Sequence, residues 1–274
     1  MIYRASSGNE YDLTLKRHYI KTASFHDWEW SPKTKEKAIG VNVSKFGRDA
    51  KTYEATLALP GARAEREKRL DALHEDMERD VQMKTPGKLI CNGYTIDCYP
   101  IASKTYSNDS GTRTLNDIKF YCPYPLWSQE VLKSFGAVSE GGETSGGFDY
   151  EFDYEFDYMT ETGLSLYWDI EHFCPVEFRM TIYGPCTNPA ITIGGHVYQV
   201  YQTLASSEYM VIDSRERTVT KYLVNGTPVN VFNSRRFDIS VFDPLPVGKV
   251  QVIRSSGFGA DILIFKERSE PSWT

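Results

Sequence analysis

The chain reads as a mainly β protein of two domains, an N-terminal one of strands with a single long helix and a C-terminal antiparallel β-sandwich. Three observations predict this. Short segments in which apolar and polar residues alternate, the period of a strand with one buried face, recur along the sequence. Only residues 62–83 carry extended helical spacing. Aromatic residues make up 14% of the chain, 18 of them tyrosine, a composition that favours sheets.

In the first half, residues 11–20 alternate Leu13 and Leu15 with Thr14 and Lys16, residues 39–46 alternate Val41 and Val43 with Asn42 and Ser44, and residues 53–59 form a third strand-like segment. Pro60-Gly61 breaks that pattern. In the helix that follows, Leu70, Leu73, Met77 and Val81 fall on one stripe, while Glu65 with Arg69 and Glu75 with Arg79 stand at i, i+4 spacing on the exposed side. Thr85-Pro86-Gly87 ends it, because proline lacks the amide hydrogen and clashes with the preceding turn. Asn92-Gly93 between the apolar runs at Leu89-Ile90-Cys91 and Tyr94 to Cys98 is a strong hairpin signal. The prolines of Phe120-Tyr121-Cys122-Pro123-Tyr124-Pro125 stiffen an exit, and the domain boundary is set there, giving domains 1–125 and 126–274.

The second half opens with the pairs Gly141-Gly142 and Gly146-Gly147 and then a tetrapeptide repeated nearly three times, Phe148-Asp149-Tyr150-Glu151-Phe152-Asp153-Tyr154-Glu155-Phe156-Asp157-Tyr158. With a period of two, every aromatic falls on one face and every carboxylate on the other, the pattern of an amphipathic ribbon packed on a sheet or a second subunit. A surface hairpin or a disordered acidic-aromatic tract is the alternative for such a biased segment. Strand-like segments then follow at residues 164–170, 176–182, 190–193, 196–204, 209–212, 218–224, 229–232, 237–242, 247–254 and 260–266, with turns at Gly194-Gly195, Asn225-Gly226 and Gly257-Phe258-Gly259. So many strands without an intervening helix predict a sandwich.

At 274 residues the chain can bury a core without disulfides or metals. No apolar run approaches the roughly 18 to 20 residues that span a membrane, and the N-terminus lacks signal-peptide features, so the expectation is synthesis in a cytoplasm with no membrane insertion. Asn-x-Ser/Thr matches at Asn42, Asn108 and Asn225 then carry no glycosylation meaning. Cys91, Cys98, Cys122, Cys174 and Cys186 are odd in number and lack Cys-x-x-Cys spacing, against both a disulfide framework and a zinc site. His172 and Cys174 share a strand face but have no second ligand pair nearby. Residues 1–125 carry net charge +3 and residues 126–274 net −9, an asymmetry that fits two parts with different surroundings and is too weakly basic for a nucleic-acid binder.

Signatures of common chemistry are missing. There is no Gly-x-Ser-x-Gly elbow, phosphate loop or His-Glu-x-x-His pair, and Gly257-Phe258-Gly259 opens no dinucleotide fingerprint because Ile262 stands at the third glycine position. Asp169, Glu171 and Asp213 are among many carboxylates from which glycoside hydrolysis would need one pair at a defined separation. Trp127, Trp168 and Trp273 are candidates for stacking on sugar rings, with core packing the alternative for Trp168. Phe25, His26, Trp28 and Trp30 form a second aromatic cluster that packs on its own domain or on a neighbouring subunit. No catalytic residue, cofactor or metal ligand is assigned.

The order of these features resembles that of distal tail proteins from long, non-contractile-tailed phages and prophages, the siphovirus tail-component group. The carriers run over most of the length: β segments before a single helix at 62–83, Gly87-Lys88-Leu89-Ile90-Cys91-Asn92-Gly93, the Phe120-Tyr121-Cys122-Pro123 junction, Phe-Asp-Tyr repetition after glycines, Ile212-Asp213, and Pro246-Val247-Gly248 before the closing strands. Lys249 departs from the asparagine that such proteins often place after that last glycine. The resemblance implies an N-terminal split β-barrel with one long helix and a C-terminal galectin-like antiparallel β-sandwich. It further implies a non-enzymatic virion component without cofactor, located at the tail tip: a homo-hexameric ring joining the tail tube protein to the hub or tail-associated lysin. The sandwich would be a docking platform for receptor-binding or baseplate proteins, and DNA would be only cargo passing through the lumen. The alternative is a carbohydrate- or host-receptor-binding β-sandwich module.

Overall fold

The structure, a computed structural model, describes residues 1–14, 19–107, 113–137 and 165–273. The 148–158 repeat, its preceding glycine pairs and Asn108 lie outside the described residues. The chain is mainly β with one long helix and divides into two compact units, Met1–Gln129 with Glu267–Thr274, and Glu130–Lys266. Chain order alone assigned the last eight residues to the second domain; they return to the first unit instead.

The first unit is built from β1 (Ile2–Arg4), β2 (Glu10–Asp12), β3 (Tyr19–Ala23), β4 (Ser31–Glu36), β5 (Val41–Gly47), β6 (Lys51–Pro60), α1 (Arg63–Gln82), β7 (Gly87–Cys91), β8 (Tyr94–Ser107) and β9 (Arg113–Cys122). The start of β10 (Trp127–Phe135) also belongs to it, and Ser128 pairs with Thr95 of β8. Strand β8 organises the rest. Its first residues pair with β7, from Cys91↔Tyr94 to Gly87↔Cys98, and its later ones with β9, from Tyr99↔Tyr121 to Ser107↔Thr114. An extra residue, Ile101, bulges out after Pro100, and such a bulge bends and twists a strand. One strand thereby serves both the β2-β1-β7 side and the β9-β6-β3 side of the unit. Between them lie Tyr3, Phe25, Tyr53, Leu57, Leu59, Leu89, Ile96, Ile118, Phe120 and Trp127, closed over by Leu70, Leu73 and Met77 of α1. The Asn92-Gly93 turn forms as expected, with φ of 47° and 78°.

The helix buries Leu70, Leu73 and Met77 of the expected stripe but not its last member. Val81 is exposed, and Arg66, Asp76 and Asp80 are buried in its place. Asp80 accepts hydrogen bonds from the Tyr3 hydroxyl and, at 2.9 and 2.6 Å, from the Ser6 amide and hydroxyl. Asp76 accepts from Ser7 Oγ (2.9 Å), Asn9 Nδ2 (2.8 Å), the Tyr11 hydroxyl (2.6 Å) and Arg79 (2.7 Å). Arg79 therefore pairs with Asp76 and not with Glu75, whereas Glu65 and Arg69 do meet at 2.9 Å. Past Gln82 and the cap residue Met83, Lys84 takes the left-handed conformation at φ 54°, and the Lys84 and Thr85 amides bond back to Val81 and Asp80, which closes the helix.

The second unit holds the rest of β10 with β11 (Ser165–Ile170), β12 (Glu177–Tyr183), β13 (Cys186–Thr187), β14 (Ala190–Ile193), β15 (His196–Gln199) and β16 (Thr203–Leu204). After these come β17 (Tyr209–Asp213), β18 (Thr218–Tyr222), β19 (Pro228–Asn230), β20 (Gly248–Arg254) and most of β21 (Ala260–Arg268). One sheet runs β19-β18-β17-β12-β21-β10 and the other β11-β20-β14-β15. Alternate residues of each, Phe178, Met180, Ile182, Met210, Ile212, Ile262 and Ile264 from the first and Trp168, Ile170, Ile191, Ile193, Tyr198, Val250 and Val252 from the second, meet in one core. Two expected strands are corrected. Residues 237–242 form no strand: Arg236 forks onto Asp238 (2.7 Å), Ser240 Oγ accepts from the Phe242 amide (3.2 Å), and Val241 and Phe242 turn inward while Phe237 stays exposed. Residues 196–204 split into β15 and β16 where the Tyr201 amide leaves the ladder to bond Ser234.

Two predictions follow from the helix clamp. A Cβ on Gly87 would lie 2.4 Å from Asp80 Oδ2 and 2.7 Å from the Tyr3 ring, both pinned in the interior, so Gly87→Ala is expected to lower stability by about 1–3 kcal/mol in urea titrations. Burial pushes the Asp76 carboxyl up, but its bonds from Tyr11, Asn9, Ser7 and Arg79 outweigh this and hold it below its ordinary 3.8. A carboxyl lowered by folding stabilises above its unfolded value and loses that contribution as pH falls through its folded value. The melting temperature should therefore drop as pH is lowered below about 4, and Asp76→Asn should flatten that dependence.

Candidate interaction surfaces

The residues with chemical potential do not converge. Asp169 is exposed on β11, opposite Lys249, whereas Asp213 is buried at the end of β17 in the other sheet. There Asp213 accepts from Arg179 Nε at 2.7 Å and from the Arg215 and Glu216 amides at 3.0 Å, which makes it a turn-forming carboxylate. His172 lies against the Phe173 ring, and among the described residues no three His, Cys, Asp or Glu side chains gather where an ion would fit. No disulfide joins the cysteines; burial pushes the Cys98 thiol well above its ordinary value and that of Cys122 up to about 12, so both are poor nucleophiles. Trp127 and Trp168 are interior, which removes them as sugar platforms.

The features that stand out face solvent. Strands β4 and β5 pair only with each other, and every residue of β4 and all but the last of β5 is exposed. Register sorts the ribbon into two unlike faces. Pro32↔Phe46, Thr34↔Val43 and Glu36↔Val41 form one, with Phe46 60%, Val41 57% and Val43 44% exposed. Ser31↔Gly47, Lys33↔Lys45 and Lys35↔Asn42 form the other. An isolated two-stranded hairpin is marginal in water, and one that shows a valine-phenylalanine face to solvent lacks the surface that would cover it.

The root of this hairpin is held by the C-terminal strap, residues 267–273. Glu267 accepts from the Tyr124 hydroxyl at 3.0 Å, and the Arg268 guanidinium lies over the Tyr94 ring. Trp30, the residue before β4, donates its indole N–H to Ser269 Oγ, and Arg48, the residue after β5, donates to the Ser269 carbonyl, both at 3.2 Å. The Arg48 guanidinium also sits over the Trp30 ring at 5.6 Å. Beyond them, Glu270 lies 3.5 Å from His26 Nδ1, Asn92 donates to the Ser272 carbonyl at 2.8 Å, and Trp273 stacks on His26 at 3.8 Å. The aromatic cluster at 25–30 is thus divided: Phe25 enters the core against Tyr53, Phe120 and Trp127, while His26 and Trp30 receive the strap and Trp28 remains exposed.

No protein-family model matches the chain, and no curated protein matches it in sequence. Solved structures do match its fold over almost its whole length. One is the SPP1 Dit (gp 19.1) protein, described as a paradigm of the hub adsorption apparatus in phages infecting Gram-positive bacteria, at TM-score 0.62 and 12% identity over 97% of this chain and 98% of that one. Chains of the phage P2 baseplate in its activated conformation match too: with Ca at TM-score 0.58 and 14% identity, and with Sr at 0.56 and 15%, each over 98% of both chains. The fold is that of these phage adsorption and baseplate proteins, in agreement with the resemblance read from the sequence.

The strap predicts a measurable change in the hairpin root. A chain ending at Arg268 should stay folded yet be cut by trypsin after Lys33, Lys35 and Lys45 about threefold or more faster in timed digests, because the bridge between Trp30 and Arg48 is gone. Unchanged cleavage at these three sites would show that the strap does not restrain the hairpin.

Proposed function

We propose that the chain is a structural component of a phage tail tip. Its first unit builds a homo-hexameric ring that joins the tail tube protein to the hub or tail-associated lysin, and DNA passes through the lumen as cargo. The sandwich, Glu130–Lys266, is the outer platform on which receptor-binding or baseplate proteins dock. The protein works in the virion, at the distal end of the tail, without enzymatic activity.

The observation that carries this reading is the β4–β5 hairpin. A cyclic ring needs two complementary, non-identical patches on each protomer, one of which reaches to the neighbour. The hairpin is an arm of that kind, with an uncovered apolar face and a fastened root. The whole-length likeness to a hub protein and to baseplate chains supports the same role. Shape and exposed faces are what such a part contributes, and the separation of the exposed Asp169 and Glu171 from Asp213, which is buried in the other sheet, fits that better than a hydrolase reading.

The test is assembly of the purified chain. Sedimentation velocity and electron micrographs should show rings with sixfold symmetry as concentration rises. Val41→Asp with Val43→Asp should leave the melting temperature within about 1 °C, since both side chains are already exposed, and should abolish rings. Rings that persist in this variant would remove the hairpin from the interface.

A further inference from the structure

The apolar face leaves the hairpin's other face unassigned, and that face is built against itself. Lys33 and Lys45 stand directly opposite one another in register, a like-charged cross-strand pair, and Lys35 follows on the same face about 7 Å along the strand. All three are exposed, and none has an ion-pair partner among the described residues.

Helix α1 carries the mirror image. Asp71, Glu75 and Glu78 are exposed and stand at i, i+4 and i+7, which puts them on one stripe about 10 Å long, with Glu67 continuing it toward the helix start. Glu67 is paired with Arg63, Glu65 with Arg69 and Asp76 with Arg79, yet no cation of this chain meets Asp71, Glu75 or Glu78 among the described residues. Like charges at such spacings weaken a helix, as opposed lysines weaken a hairpin. One unit therefore shows two self-repelling strips of opposite sign and comparable length that do not neutralise each other within the chain.

We infer that the lysine face of β4–β5 docks on the Asp71/Glu75/Glu78 stripe of α1 in a second copy of this chain. The occupant is a second copy because the complementary strip belongs to this sequence, and two different strips on each protomer make the contact head-to-tail, the geometry from which rings close. Each docking event relieves repulsion on both partners, so the lysines and carboxylates set the register and direction of the arm while its apolar face supplies adhesion. This inference rests on the ring reading and names the surface that the arm's second face meets.

A charge swap tests it in the full-length chain. Lys33→Glu with Lys35→Glu and Lys45→Glu should weaken assembly about tenfold or more in sedimentation equilibrium, and so should Asp71→Lys with Glu75→Lys and Glu78→Lys. All six changes in one chain should restore assembly to near the wild-type level, which also shows that the chain still folds. Assembly of the wild type should weaken with rising salt over the range in which surface charges are screened. If the combined variant is not rescued, or if only the lysine changes matter, the docking partner is not α1 and the inference falls. Salt-sensitive binding of a short DNA duplex, lost in the lysine variant while assembly is unchanged, would overturn it in favour of a nucleic-acid role. A wild-type chain that remains monomeric at every concentration would remove the ring reading itself, whereas rings unaffected by charge reversal would remove only this contact.

Discussion

The first unit depends on two carboxylates turned inward from a helix. Asp76 and Asp80 are one turn apart and both are buried, an arrangement that would be unfavourable if their oxygens found no donors. Donors come from residues 3–11, whose tyrosine and serine hydroxyls, asparagine amide and backbone N–H converge on them. The N-terminal β-hairpin is thus fastened to the helix by directional bonds and not by apolar contact alone, which fixes its register against β7. Gly87 completes the arrangement, since only a residue without a side chain lets β7 pass so close to Asp80 and Tyr3.

Much of this architecture was legible in the sequence. The helix lies within one residue of its expected ends, the Asn92-Gly93 turn forms, and the sandwich strands alternate as their periodicity indicated. What escaped did so for physical reasons. Strand β9 faces inward with Thr114 and Asn116, whose polarity hides the period of two; Asn116 is buried only because Ser103 and Thr105 accept its amide hydrogens. Strand β4 buries nothing and so leaves no hydrophobic pattern. Val81 was expected inside because leucine spacing pointed there, but at that end of the helix it is Asp80, bonded by Tyr3 and Ser6, that turns inward beside Met77, and Val81 is left exposed.

The candidate surfaces were less readable still. Val41 and Val43 suggested a half-buried strand, and the sequence has no means of saying that their face is uncovered. The contacts of the strap join residues more than 140 positions apart, far beyond any local period. The stacking of Trp273 on His26 and the bond from Trp30 to Ser269 belong to tertiary structure alone. Shape at the surface is the property that alternation patterns encode least, because those patterns record burial within one chain.

The return of residues 267–273 to the first unit also imposes an order in time. These residues emerge from the ribosome only after the whole sandwich, residues 130–266, has been translated, so Ser269 cannot bridge Trp30 and Arg48 on a nascent chain that stops short. Until residues 267–273 have been added, the root of the β4–β5 hairpin stays open, however completely the sandwich has already folded.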